Sequence, residues 1–224
     1  MISAIVTILY SVALIVASFF YLKARYKLME EDTLGGVIKK NIKYVVLTGV
    51  VFIGVTIVQT GYALEHDIYT LAVLMKWATL FWGMYLLAKV DYHEKKIPNK
   101  IVLALLLFRL GFLAYEVFSN LEYWKTVVVY PVLGAIIGGV IMAIAMLLSR
   151  KGVGMGDVKM FIMIGAFVGS SEIIATMFYT FLISAVGGIG LIIFKKASVK
   201  DSVPMAPFAC AGIVLEYLLL MIGG

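Results

Sequence analysis

Gly154-Met155-Gly156-Asp157-Val158-Lys159 sets an acidic residue among glycines where a basic turn beginning at Arg150 gives way to a hydrocarbon-like run. A carboxylate at such a boundary is costly unless it is neutralised or used, so Asp157 is a functional candidate. Asp91, at the end of another apolar run, is a second.

The sequence around these acids is that of a membrane protein. Of 224 residues, 63% are hydrophobic and 14% charged, and the mean hydropathy is +1.05, far from the balance of a soluble domain. Crossing hydrocarbon takes roughly 20 apolar residues per helix. The intervals between charged clusters hold about eight segments: 2–22, 43–64, 70–90, 98–118, 127–149, a stub from Asp157 to about Gly169, 172–194 and 205–222. The expected fold is an all-α polytopic membrane protein of about eight transmembrane helices, with N-terminus and C-terminus outside. Residues 1–69 form two N-terminal spans joined by a short cytoplasmic loop, 23–42, and residues 70–224 form a six-helix core. Lys23, Arg25 and Lys27 follow the first apolar segment, the reverse of a cleaved signal peptide.

The excess of Lys and Arg on cytoplasmic loops tests this order. Sixteen of the nineteen basic residues fall on the cytoplasmic side, Lys76 and Lys125 fall outside, and Arg109 lies within a span. The net charge of +6 therefore sits in inter-helix loops. That placement argues against nucleic acid and leaves membrane lipid head groups as the electrostatic partner. The lone Cys210 lies in an apolar run, so neither a disulfide nor a four-thiolate zinc site forms within the chain. No metal or cofactor is expected.

Several span features carry structural readings. Gly134 and Gly138 have the GxxxG spacing that lets helices approach closely. Arg109 and Glu116 share a helical face and form a structural intramembrane pair. The stub after Asp157 is too short to cross alone and must be sheltered by neighbours or lie beside thinned lipid. Pro98 and Asn99 restart a helix after the polar turn 91–100, Pro131 admits the fifth span, and Pro204 and Pro207 open the last.

With this topology Asp91 and Asp157 lie at one depth on the cytoplasmic side. Two carboxyls that come close cannot both ionise easily, so they share a proton, one acting as base and the other as acid. Such a pair activates water against a peptide carbonyl without metal or covalent intermediate. Gly152, Gly154 and Gly156 allow φ above zero and the close approach of a substrate strand. Lys159 pairs with a carboxylate or holds the loop. The plainer readings are Asp157 as a helix cap, Asp91 as a loop residue and His93 as a solvated side chain.

Three stretches together resemble a known family. They are Asp91 followed by Lys96-Ile97-Pro98-Asn99, the stretch 154–159 continuing to Gly165-Ala166-Phe167-Val168-Gly169, and Pro204-Met205-Ala206-Pro207-Phe208. They resemble the type IV prepilin peptidases, membrane aspartyl proteases with a GxGD motif. The resemblance covers roughly residues 70–224. It implies an aspartic endopeptidase that removes the basic leader from type IV prepilin-like precursors, just after a glycine at the cytoplasmic face of the cell membrane. Asp91 and Asp157 would be the catalytic pair. Pro98, Asn99, Gly154, Gly156, Lys159 and Pro207 would shape the loops or bind substrate.

Bifunctional members carry a zinc-binding Cys-x-x-Cys segment after the first span, associated with N-methylation. Residues 23–42 hold no cysteine, which argues against zinc and against methyltransferase activity. Ala206 stands where the family often has glycine, a departure at a point of expected close substrate approach. One alternative is an intramembrane protease of the presenilin and signal-peptide-peptidase type, against which the Ile-Pro-Asn turn argues. Another is a cation-coupled transporter with Asp91 and Asp157 as ion ligands, which calls for more polar residues near mid-span than Arg109.

Overall fold

The computed structural model describes residues 2–26, 71–149, 153–193 and 203–223. They form α1 (Ile2–Tyr26), α2 (Leu71–Glu94), α3 (Asn99–Ser119), α4 (Trp124–Leu148), α5 (Met155–Val168), α6 (Ile173–Ile193) and α7 (Ala206–Gly223). A 3-10 turn, Leu121–Tyr123, joins α3 to α4, and the described residues contain no strand. The expected second span at 43–64, most of the loop 23–42 and the basic turns at 150–152 and 195–200 lie outside the described residues.

Among the described residues, Ala72–Glu94, Asn99–Ser119, Leu121–Leu148 and Ile173–Gly190 are long and apolar enough to cross a membrane. Along α3 and α4 large apolar side chains point outward, Leu107, Phe118, Leu133 and Ile144 among them. Soluble monomers do not carry continuous apolar surface of that extent, so this is an integral membrane protein.

The chain divides into two compact units, Met1–Trp82 and Gly83–Gly224. In the first, the Tyr10 hydroxyl and Thr79 Oγ1 lie 2.8 Å apart, tying α1 to α2, and Trp77 stacks on Phe81.

The second unit is organised around α5. Its 14 residues span about 21 Å at 1.5 Å per residue, short of the roughly 30 Å hydrocarbon core. Shelter by neighbours is the solution found: Met160, Phe161, Met163 and Ile164 are fully buried. Gly134 and Gly165 meet backbone to backbone, and a Cβ at Gly138 would stand 2.6 Å from the Phe161 carbonyl oxygen. The Gly134 and Gly138 spacing thus acts as expected, with α5 as the partner of α4.

The last carbonyls of a helix lack intrahelical donors and need partners when buried. At the end of α5 the Gly165 carbonyl accepts the Gly169 N–H at 2.9 Å, with Gly169 at φ +90°. Arg109 Nε donates to the Ala166 carbonyl at 2.6 Å. The same guanidinium pairs with Glu116 at 3.0 Å, so the two do share a face. A cation at a helix C-terminus also complements its dipole.

Pro131 lies inside α4 rather than at its entrance, because the helix starts earlier, at Trp124. Proline brings no N–H to a helix. The Val127 carbonyl, one turn back, therefore receives no bond from this position, while the Ser170 N–H donates separately to the Tyr130 carbonyl at 3.0 Å.

Between α6 and α7, the Thr176 hydroxyl lies against Glu216 Oε2. Glu216 is buried, and among the described residues its Oε1 has no partner. Nothing in the spacing of the sequence marks Glu216, within the last apolar segment, as a partner of Thr176.

Candidate active site

The site is built where three chain stretches meet in the second unit. The first is the end of α2. Sequence reading placed Asp91 at the start of a polar turn, whereas it lies in the last helical turn, buried, with the helix continuing to Glu94. The helix continues because Tyr92 and His93 occupy its exposed side. It stops at Lys95, whose N–H donates to the Asp91 carbonyl at 2.8 Å and whose φ is 51°, a left-handed residue of the kind that terminates helices. The chain then runs extended to Pro98 (φ −72°, ψ 119°), the N-cap of α3. The Pro98 carbonyl accepts the Ile101 N–H at 3.1 Å.

The second stretch is the start of α5. The Asp157 N–H donates to the Gly154 carbonyl at 3.0 Å, and Asp157 Oδ2 accepts the Gly154 N–H at 3.0 Å. Asp157 therefore does help to cap its helix, as the plainer reading held, by satisfying one orphan donor. This engages one of its two oxygens.

The expected positive φ is not used here. Gly154 is extended at φ −92°, which any residue adopts, Gly156 is helical, and Gly152 lies outside the described residues. What Gly156 supplies is space, since a Cβ there would stand 2.9 Å from Ile97 Cβ. Among the described residues a Cβ at Gly154 would meet nothing nearer than Asp157 Oδ2 at 3.6 Å, an ordinary contact. Lys159 Nζ donates to Asn99 Oδ1 at 3.2 Å.

The third stretch precedes and opens α7. The Ala206 N–H donates to Asp91 Oδ2 at 2.9 Å in a buried bond. The Ala206 side chain is itself fully buried, so the residue found in place of glycine faces the interior. Pro207 is the second residue of α7, in the first turn where proline is tolerated. Sequence reading gave this stretch a motif but no contact with Asp91. His93 is exposed and meets Tyr92 edge to face.

Asp157 stands in the first turn of a helix too short to span. Burial pushes its carboxyl above the ordinary carboxylate range, the Gly154 N–H opposes that shift, and the Asp91 charge adds to it. The two acids thus lie within electrostatic reach of each other. Among the described residues no group of three or more His, Cys, Asp or Glu side chains is placed to hold a metal ion.

A family model for the type IV leader peptidase family matches residues 78–193. The chain is 33% identical over 136 residues to the prepilin leader peptidase/N-methyltransferase of Bacillus subtilis (strain 168), covering 60% of this chain and 52% of that protein. To the protein of the same name from Stutzerimonas stutzeri it is 29% identical over 138 residues, 60% of this chain and 46% of that one. To the Pseudomonas aeruginosa protein of that name it is 25% identical over 166 residues, 70% and 53% of the two chains. The chain spans about half the length of the curated relatives it matches. No solved structure matches it. The family match takes in just over half of the chain, including both aspartates, the Pro98-Asn99 turn and the glycine contacts between α4 and α5. This chain belongs to the type IV leader peptidase family.

Proposed function

We propose that this protein is a membrane aspartyl endopeptidase that cleaves the basic leader from type IV prepilin-like precursors at the cytoplasmic face of the cell membrane. What supports the reading is the placement of Asp91 and Asp157 at the ends of two helices, one held by the Ala206 amide and the other by the Gly154 amide. They come from separate helices, both are withdrawn from water, and the charge of one raises the proton affinity of the other. Two such carboxyls hold one proton between them, which is what attack by water on an amide needs.

In this mechanism the ionised carboxylate takes a proton from water as the water oxygen bonds to the scissile carbonyl carbon. The protonated carboxyl gives its proton to the carbonyl oxygen. Collapse of the tetrahedral diol breaks the C–N bond. The proton taken from water passes to the leaving nitrogen, and a diol proton restores the acid. Both carboxyls end as they began.

The extended backbone at Gly154 suits an extended peptide alongside, and Gly156 lets α5 start hard against Ile97. Pro98, Asn99 and Lys159 fix the facing turn, and Pro207 the third. Residues 70–224 form the peptidase core in this reading. The excess of basic residues on one set of loops supports the cytoplasmic side. The printed names of the relatives support a prepilin substrate.

The test is incubation of the purified protein in lipid with a prepilin-like substrate, followed by mass spectrometry of the products. A single cut at the leader junction, leaving the substrate helix whole and adding no methyl group, is expected. A cut within the hydrophobic helix would favour the presenilin type. Ion flux into proteoliposomes without cleavage would favour a transporter.

A further inference from the structure

We propose that Pro204-Met205-Ala206-Pro207 is a positioning element that holds Asp91 as the charged member of the pair, so that Asp91 takes the proton from water and Asp157 donates one. The inference rests on the peptidase reading and assigns the roles that it leaves open.

Proline has no N–H, so in this tetrapeptide only Met205 and Ala206 can donate from the backbone. The Ala206 N–H reaches Asp91 Oδ2 at 2.9 Å, and the Met205 amide adds to what favours the charged form of the same carboxyl. Proline also fixes φ on either side, which restrains the amides from turning away.

Ala206 is the first residue of α7, an 18-residue helix. N–H groups in a first turn have no partner within the helix and form the positive end of its dipole. Asp91 therefore sits where a helix stabilises an anion, and it draws on a second helix for this, since its own place is the C-terminal turn of α2.

Asp157 differs in kind. Among the described residues its amide donor is Gly154, in an exposed bond, whereas the bond from Ala206 to Asp91 is buried. A hydrogen bond to a charge gains strength away from water. The charged group that α5 brings toward Asp91 is Asp157, while α7 brings amides. An ionised Asp91 in turn keeps the proton on Asp157, as its effect on that carboxyl indicates.

The test replaces the Ala206 amide by a backbone ester in the full-length protein, deleting one donor with little change of shape. Cleavage of a prepilin-like substrate is then followed across pH. The expected result is a kcat lower by roughly tenfold to a hundredfold, KM unchanged, and the acid limb of the kcat profile moved to higher pH, because Asp91 now ionises less readily. A lowered melting temperature with both limbs in place would reduce the segment to a structural role and overturn the proposal. So would movement of the alkaline limb alone. If the ester protein does not fold, carboxyl-carbon NMR titration of the unaltered enzyme decides. Asp91 should titrate below Asp157, and the reverse order rejects the assignment. Absence of cleavage by the unaltered enzyme would instead remove the peptidase reading itself.

Discussion

Lys159 on α5 donates to the side chain of Asn99 on α3 at 3.2 Å, joining stretches 60 positions apart in the chain. The bond is exposed, so its net worth in stability is at most about 1 kcal/mol. Its value lies in fixing the start of α5 against the turn that follows Asp91. Lys159→Met is expected to change the melting temperature little and to lower kcat several-fold, read by thermal unfolding and cleavage assay on one preparation.

Gly165 faces the Gly134 backbone with no room for a methyl group, while Gly111 on α3 has nothing within 4 Å among the described residues. Gly165→Ala should destabilise by about 1–3 kcal/mol or more, since backbone must move to admit it. Gly111→Ala should be neutral or stabilising by up to about 1 kcal/mol, because a helical glycine loses backbone entropy on folding. Denaturation in detergent compares the two directly.

Arg109 is buried and serves the Ala166 carbonyl and the Glu116 carboxylate together. Arg109→Ala takes a buried cation away from a helix end and from the Glu116 carboxylate, and a loss of about 3–5 kcal/mol is expected. Arg109→Lys should recover only part of this, since an ammonium lacks the planar fork that reaches both acceptors. Unfolding curves for the two variants test the ranking.

The proton affinity of Asp157 is raised in the fold, first by burial and further by Asp91. A raised carboxyl stabilises in its neutral form. Its contribution is fully present below the unfolded value, near 3.9, and is lost as pH rises through the folded value. Asn at this position carries no charge and can still accept the Gly154 N–H. Asp157→Asn should therefore melt higher than the unaltered protein at neutral pH, with the gain vanishing as pH falls toward the unfolded value. Equal melting at pH 7 would mean that ionising Asp157 costs nothing.

The helices were legible because apolar runs between charged clusters are a local signal, and the pairing of Arg109 with Glu116 follows from helical period alone. Gly134 and Gly138 announced a close contact, though their partner could be found only in three dimensions. The polar turn expected at 91–100 begins only at Lys95: the residues after Asp91 are polar, and polarity on the exposed side of a helix reads like a loop. The Ala206 contact was hidden for a deeper reason. Its donor is a backbone amide, which no residue letter marks, and the prolines on either side reveal it only once Asp91 is seen beside them. Glu216 was passed over because one acid in an apolar run shows no partner in sequence, while Thr176 sits a whole helix away.

Single-turnover cleavage of a prepilin-like substrate by Asp91→Asn and Asp157→Asn, each in lipid, bears most directly on the paired carboxyls. Loss of the general acid or base is expected to slow the chemical step by roughly 10²–10⁴-fold or more in each variant, with substrate binding and membrane insertion retained. Cleavage at the unaltered rate by either variant would contradict the pairing of Asp91 with Asp157 as the catalytic centre.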